Sequence, residues 1–252
     1  MANVWLAALS GLIGGGTLLV GAAVAWFVDT PQRVVAGIMA LGAGVLISTL
    51  AFELVEEAAD DGGLVPTTVG FLAGAVLYIV ADWLVSRPKH PTADLPANIA
   101  ARRAGSRLAG GTGVAIAIGA LIDGIPESIV MGLSVLQGGI SIPIVAAIAI
   151  SNFPEGLGST AALKRSGTSG RSIALLWSGI ALVTVVAAVL GFVAFQSASP
   201  QLIALITTIA AGGLLAMVCN TMIPEAFEEQ RALTGLYATV GFLAAFLLHE
   251  LA

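Results

Sequence analysis

Eight apolar stretches, each long enough to cross a bilayer as a helix, set the first limit on what this chain can become. They fall at about residues 4–27, 33–56, 65–85, 111–136, 140–163, 172–195, 201–226 and 233–251. A hydrocarbon core roughly 30 Å thick takes about 20 apolar residues per helix and offers no water to an unpaired strand edge. The expected fold class is therefore an all-α integral membrane protein with eight transmembrane helices. Composition agrees, since 58% of residues are hydrophobic and only 10% are charged, against about a quarter charged in soluble domains. With ten Lys and Arg and a net charge of −5, nucleic acid is set aside and the lipid bilayer becomes the expected partner. The single cysteine, Cys219, rules out an internal disulfide and fits no zinc-finger spacing; it is expected as a small residue in a helix core. The first apolar stretch exceeds a signal-peptide core and has no preceding Lys or Arg, so it is expected as a retained membrane helix.

The breaks between stretches are polar or turn-like: DTPQR, EEAADDGG, residues 86–107, QGGISIP, KRSGTSGR, QSASP and FEEQRALTG. Every basic residue lies in an odd-numbered break. Arg33 is in the first, and Arg87, Lys89, Arg102, Arg103 and Arg107 are in the third. Lys164, Arg165 and Arg171 are in the fifth, and Arg231 is in the seventh. The positive-inside rule then places the odd connections in the cytoplasm and both termini outside. His90, within the Pro-containing connection 86–107, makes a weak metal-binding tract.

The chain also repeats. AGVLISTLAFELVEEA at 43–58 resembles AGGLLAMVCNTMIPEA at 211–226, and VGFLAGAVL at 69–77 resembles VGFLAAFLL at 240–248, at offsets of 168 and 171. Spans 1–3 thus match spans 6–8. Equivalent spans are an odd number of crossings apart, so the copies run in opposite senses, as in transporters built from inverted repeats. The expected organisation is one transmembrane domain over 1–252 in a 3+2+3 arrangement. The first repeat covers 1–85, the cytoplasmic loop 86–107, the central spans 4 and 5 108–165, and the second repeat 166–252.

The unrepeated centre carries the chemistry. LIDGIPESIVMG (121–132) places Asp123 and Glu127 four apart on one helix face, with Pro126 between them. ISNFPEGLGST (150–160) places Asn152 and Glu155 three apart, with Pro154 between and Ser151 beside them. Each proline removes a backbone hydrogen bond and displaces the carbonyl four residues earlier, that of Ile122 or Ile150. Three carboxylates, an amide oxygen and freed carbonyls on converging helices suit a divalent cation. A carboxylate at mid-bilayer costs about 3 kcal/mol even on insertion scales. The plainer alternative is that each glutamate hydrogen-bonds a neighbouring helix or stays protonated. Glu53, Glu56 and Glu57 end span 2, and Glu225, Glu228 and Glu229 end span 7. Of these, Glu53, Glu57 and Glu225, together with Asn220, are candidates for an entrance and an exit, against the alternative of solvated helix ends. Asp82 and His249, near span ends, are expected at the interface rather than on a metal.

SNFPEG, DGIPES and the IPEA of span 7 resemble the ZIP (Zrt/Irt-like) family of divalent-metal transporters. The resemblance covers essentially the whole chain. It implies passage of zinc, manganese, iron or cadmium into the cytoplasm, with the metal as substrate and no prosthetic group. It also implies a cell membrane, a bacterial inner membrane in this case, and leaves room for a homodimer. Carried over residue by residue, the implied metal ligands are Asp123, Glu127, Ser151, Asn152 and Glu155. Asp123 stands where the family usually has histidine, Gly124 where it has asparagine, and Asn220 and Thr221 where His and Glu are common. Thr184 is the nearest match to a span-6 glutamate found in bacterial relatives. The expected site is thus all oxygen, which leans toward harder metals than an imidazole site.

Two other classes compete. An intramembrane hydrolase would need H-E-x-x-H or a nucleophile with a base, and neither pattern is present, so no enzyme is expected. A protein of the same shape that binds or senses metal, or carries another solute, without passing zinc remains open. The topology is directly testable: a reporter at residue 139 should label from outside intact cells, and one at 168 only after permeabilisation. The reverse pattern would invert the orientation.

Overall fold

The computed structural model describes residues 2–85 and 113–251. Its regular elements are all helical, and eight helices are long and apolar enough to cross a membrane. In chain order they are α1 (Ala2–Phe27), α2 (Gln32–Gly62), α3 (Leu64–Val85), α4 (Gly113–Leu136), α5 (Ile142–Arg165), α6 (Gly170–Ala194), α7 (Pro200–Gln230) and α8 (Leu233–Leu251). The chain is an all-α multi-pass membrane protein, as its apolar stretches require. The connection 86–107, with His90 and five of the basic residues, lies outside the described residues.

Local chemistry fixes the helix ends. Ser141, Ser169 and Ser199 each accept a hydrogen bond from the backbone three residues on, capping α5, α6 and α7. Pro143 and Pro200 follow in the first turns of α5 and α7, where no backbone donor is lost. Gly63, at φ 91°, reverses the chain between α2 and α3, a conformation that favours a residue without a Cβ.

Helices α2 and α7 are 31 residues each, several residues longer than the apolar stretches predict. Each contains a π-helical segment, Leu50–Glu56 in α2 and Val218–Met222 in α7. Leu50 and Val218 correspond at the repeat offset of 168, so both copies of the sequence widen at the same point. Widened turns rotate the following residues around the helix axis and recur at functional sites. In α7 the widened turn leaves Cys219 exposed, correcting its expected place in a helix core, while Thr221 is buried.

Two groups of helices make the tightest contacts. In one, α1 packs on α5 and α6, and α4 packs on α6; in the other, α3 packs on α7 and α8 packs on α2. Exchanging α1 with α6, α2 with α7, α3 with α8 and α4 with α5 leaves this set of pairings unchanged. The closest approaches use glycine from both sides. A Cβ on Gly44 would overlap the carbonyl oxygen of Ala238, and one on Gly241 that of Leu41. Gly74 and Gly212 stand in the same way against Ile209 and Phe71, as do Gly21 and Gly156 in the α1–α5 pair and Gly132 and Gly191 in the α4–α6 pair. In lipid, where helices gain little from the hydrophobic effect, such backbone approach supplies the packing energy.

Adding bulk at these points should therefore be costly. Gly44→Leu drives a side chain into the α8 backbone, and overpacking of this kind costs about 1–3 kcal/mol. The thermal midpoint of the detergent-solubilised protein should fall by roughly 2–10 °C. Gly179→Leu, at a position with open space around it, should leave the midpoint unchanged.

Candidate metal centre

Helices α4 and α5 stay helical through Pro126 and Pro154, so the acids beside each proline keep their helical spacing. Asp123, Glu127, Ser151 and Glu155 face one cavity of about 20 Å³, whose remaining wall is Met39 of α2 and Met217, Thr221, Met222 and Glu225 of α7. That volume accommodates about one water-sized body. The cavity lies at the seam between the two helix groups.

Glu127 is 1% exposed and Asp123 4% exposed. Glu127 interacts with the side chain of Asn152, yet its Oε2 atom is buried with no hydrogen-bond partner among the described residues. A buried carboxylate oxygen in that condition calls for an ion, a proton or a water. The Ser151 hydroxyl donates to the Ile148 carbonyl oxygen at 2.9 Å, which leaves its lone pairs available. Thr221 Oγ1 shares a hydrogen bond of 3.2 Å with the buried Tyr78 hydroxyl of α3, fixing the π-helical wall.

Not every residue expected on the metal faces it. Asn152 does not line the cavity. Its Nδ2 donates to the Gly14 carbonyl oxygen of α1 at 3.1 Å, and the same side chain meets Glu127, so it holds α5, α1 and Glu127 in register. The Ile150 carbonyl, freed by Pro154, lies beside Gly42 of α2 rather than in the cavity. Thr184, the span-6 position, donates to the Ala181 carbonyl oxygen at 2.7 Å in the tight contact with α1. Asn220 does not line the cavity either, although its neighbour Thr221 does. Among the described residues no group of three or more His, Cys, Asp or Glu side chains stands arranged to hold a metal. The carboxylates share a wall without closing on one point.

Three of the chain's five methionines line this cavity. Their side chains add apolar and sulfur-bearing wall to the oxygen groups that the sequence singles out. Composition alone gives no reason to single out Met39, Met217 or Met222. Thr221, singled out in the sequence beside Asn220, also matches Glu53 at the repeat offset of 168, just as Glu225 matches Glu57.

A larger chamber lies on the side of the cavity toward the Arg165 end of the molecule. A vestibule of about 290 Å³ there shares Met39, Glu155 and Glu225 with it and is lined further by Gln32, Arg165, Glu228 and Glu229. At the opposite end a second vestibule, about 250 Å³, is lined by Glu53, Glu57, Asp61, Gln137 and Thr207 among others. It shares no lining residue with the cavity. Between the two, along α2, α4 and α7, stand Leu46, Leu50, Met131, Leu214 and Val218 of the main apolar core. The candidate entrance residues Glu53 and Glu57 thus belong to this far vestibule, and Glu225 to the central cavity. His249 hydrogen-bonds Glu53 at 2.7 Å and stacks on Phe52. Asp82, expected at the interface, is 3% exposed within α3; neither it nor His249 lines the central cavity.

No protein-family model matches this chain, and no curated protein matches it. The site is therefore read from its own geometry.

Asn152→Ala removes the tie between α5, α1 and Glu127 without touching the cavity wall. Leaving buried partners unsatisfied costs about 1–3 kcal/mol, so the thermal midpoint should drop. An unchanged midpoint would show that Asn152 does not hold these helices together.

Proposed function

We propose that the chain is a ZIP-type transporter that carries divalent metal ions, of the zinc, manganese, iron and cadmium group, toward the cytoplasm. The observation that carries this reading is the buried Glu127 carboxylate, with an unpartnered Oε2, on a cavity it shares with Asp123, Glu155 and Glu225. Acids at this depth are retained for function far more often than for packing. A dication between them offsets their charge and their lost hydration together.

Each group has a role in this reading. Glu127 and Glu155 supply charge from the two proline-bearing helices, Asp123 adds a third carboxylate one turn before Glu127, and Ser151 and Thr221 add neutral oxygen. Met39, Met217 and Met222 provide soft donors where no histidine stands, which keeps the later metals within range. Asn152 positions Glu127. Because the acids do not close on one point as they stand, the ion would draw their side chains in as it sheds water.

The repeat, the exchangeable helix pairings and the matched π-segments support a 3+2+3 arrangement working by alternating access. The chamber adjoining the cavity at the Arg165 end and the apolar layer toward Gln137 would correspond to one end of that cycle. If the odd connections are cytoplasmic, as their basic residues imply, this conformation faces inward.

The same open set of acids favours a second reading, in which the protein binds metal without passing it. Flux separates the two. Purified protein in liposomes should move Zn²⁺ or Mn²⁺ into or out of the lumen, and Glu127→Gln or Glu155→Gln should abolish that movement, since Gln keeps the shape and removes the charge. Parent protein that binds metal but gives no flux would select the second reading. Parent-rate flux in both variants would place the path elsewhere.

A further inference from the structure

Asn152 on Gly14 joins α5 to α1, and Tyr78 on Thr221 joins α3 to α7, so each of these ties stays within one helix group. Glu53 behaves differently. It lies in the π-helical segment of α2, with its side chain only 14% exposed, and its Oε2 accepts a hydrogen bond from the Ser141 hydroxyl at 3.3 Å. Ser141 is the N-cap of α5 and receives the Ile144 N–H at 3.3 Å. The Glu53–Ser141 bond therefore runs from one helix group to the other, across the seam. It does so at the end where the apolar layer stands between vestibule and central cavity.

The other oxygen of Glu53 is engaged inside its own group. The Nδ1–H of His249 on α8 meets Oε1 at 2.7 Å. The imidazole stacks on Phe52 with 5.7 Å between ring centres, and Phe52 also contacts Phe242 and Phe246. The aromatic cluster fixes the imidazole, and the imidazole fixes the carboxylate that reaches Ser141. A charged acceptor makes both bonds stronger than neutral pairs would be. The second sequence copy lacks this reach. Thr221 stands for Glu53 at offset 168 and Tyr78 for His249 at offset 171. The end with the long acid is sealed by the apolar layer, and the end with the short threonine has a chamber adjoining the cavity.

We propose that Glu53 is a latch that holds the two helix groups together at the Gln137 end, with His249 as its positioning residue. The Ser141 contact exists only while that end is closed, so its loss shifts the balance toward a form in which the seam has parted there. His249 acts through the Glu53 carboxylate, by holding it in the position from which it meets Ser141. The proposal rests on the alternating-access part of the proposed function and not on which ion is carried.

Spin labels at Gln137→Cys and Asp60→Cys, in a Cys219→Ser background, span the seam at this end. Pulsed electron-spin distance measurements on the full chain in lipid nanodiscs then report its width. The parent should show mainly the short distance. Ser141→Asp keeps a good helix cap but sets a second carboxylate against Glu53, and should raise the long-distance population about tenfold. Glu53→Ala, which leaves the cap untouched, should do the same. Adding Glu53→Gln to Ser141→Asp should restore the short distance, because the amide donates to the new carboxylate. His249→Ala should raise the long-distance population about threefold. The parent distribution in either Ser141→Asp or Glu53→Ala, even with a lowered thermal midpoint, would overturn the latch, as would an opening that Glu53→Gln fails to reverse. Unchanged distances in His249→Ala would overturn its positioning role. Absence of metal flux in a protein whose distances respond as described would count against transport alone.

Discussion

The cost of placing carboxylates where no water hydrates them governs this molecule. Each such group loses solvation that a hydrocarbon surrounding cannot return, at about 3 kcal/mol or more. Asp123 and Glu127 are buried on a small cavity that the half-buried Glu155 and Glu225 also reach, so the chain concentrates that cost at one place instead of spreading it. A concentration of negative charge is unfavourable in an empty site and favourable around a dication. The same group of residues is therefore a liability for folding, and in the proposed function an asset for binding.

Holding such a site requires stiff surroundings, and the packing supplies them through backbone rather than bulk. Paired glycines let α2 meet α8 and α3 meet α7 at carbonyl contact, with α1–α5 and α4–α6 built alike. Asn152 then ties Glu127 to α1 through Gly14. The seam between the two helix groups has fewer close contacts, and the cavity lies in it. Rigid pairs with a looser seam are what a site needs if its walls are to separate and rejoin.

The two vestibules express one plan with unequal chemistry. Tyr78 on Thr221 and His249 on Glu53 are hydrogen-bonded pairs at matching positions of the two sequence copies, and one partner of each, Thr221 or Glu53, lies within a π-helical segment. One pair borders the central cavity; the other borders the chamber beyond the apolar layer. Exchange of a few side chains at equivalent positions, Met39 for Thr207 and Arg165 for Gln137, gives the chambers different linings on the same backbone frame.

The eight helices, their all-α class and the residues that carry charge into the membrane were legible in the sequence, because hydrocarbon thickness and the penalty for unpaired backbone leave few alternatives. Pro126-Glu127 and Pro154-Glu155 stood out for the same reason: polar groups in apolar runs need a cause. The sequence also carried the repeat, and with it the correspondence of Thr221 to Glu53. It could not tell which neighbour each side chain meets. Asn152 and Ser151 are adjacent in the chain, yet only Ser151 lines the cavity, since a helix turns about 100° per residue and neighbouring helices decide which direction is inward. The methionine wall, the outward Cys219, the burial of Asp82 and the unpartnered Thr207 hydroxyl all depend on which helices pack beside them. Those are long-range contacts, and only the tertiary structure decided them.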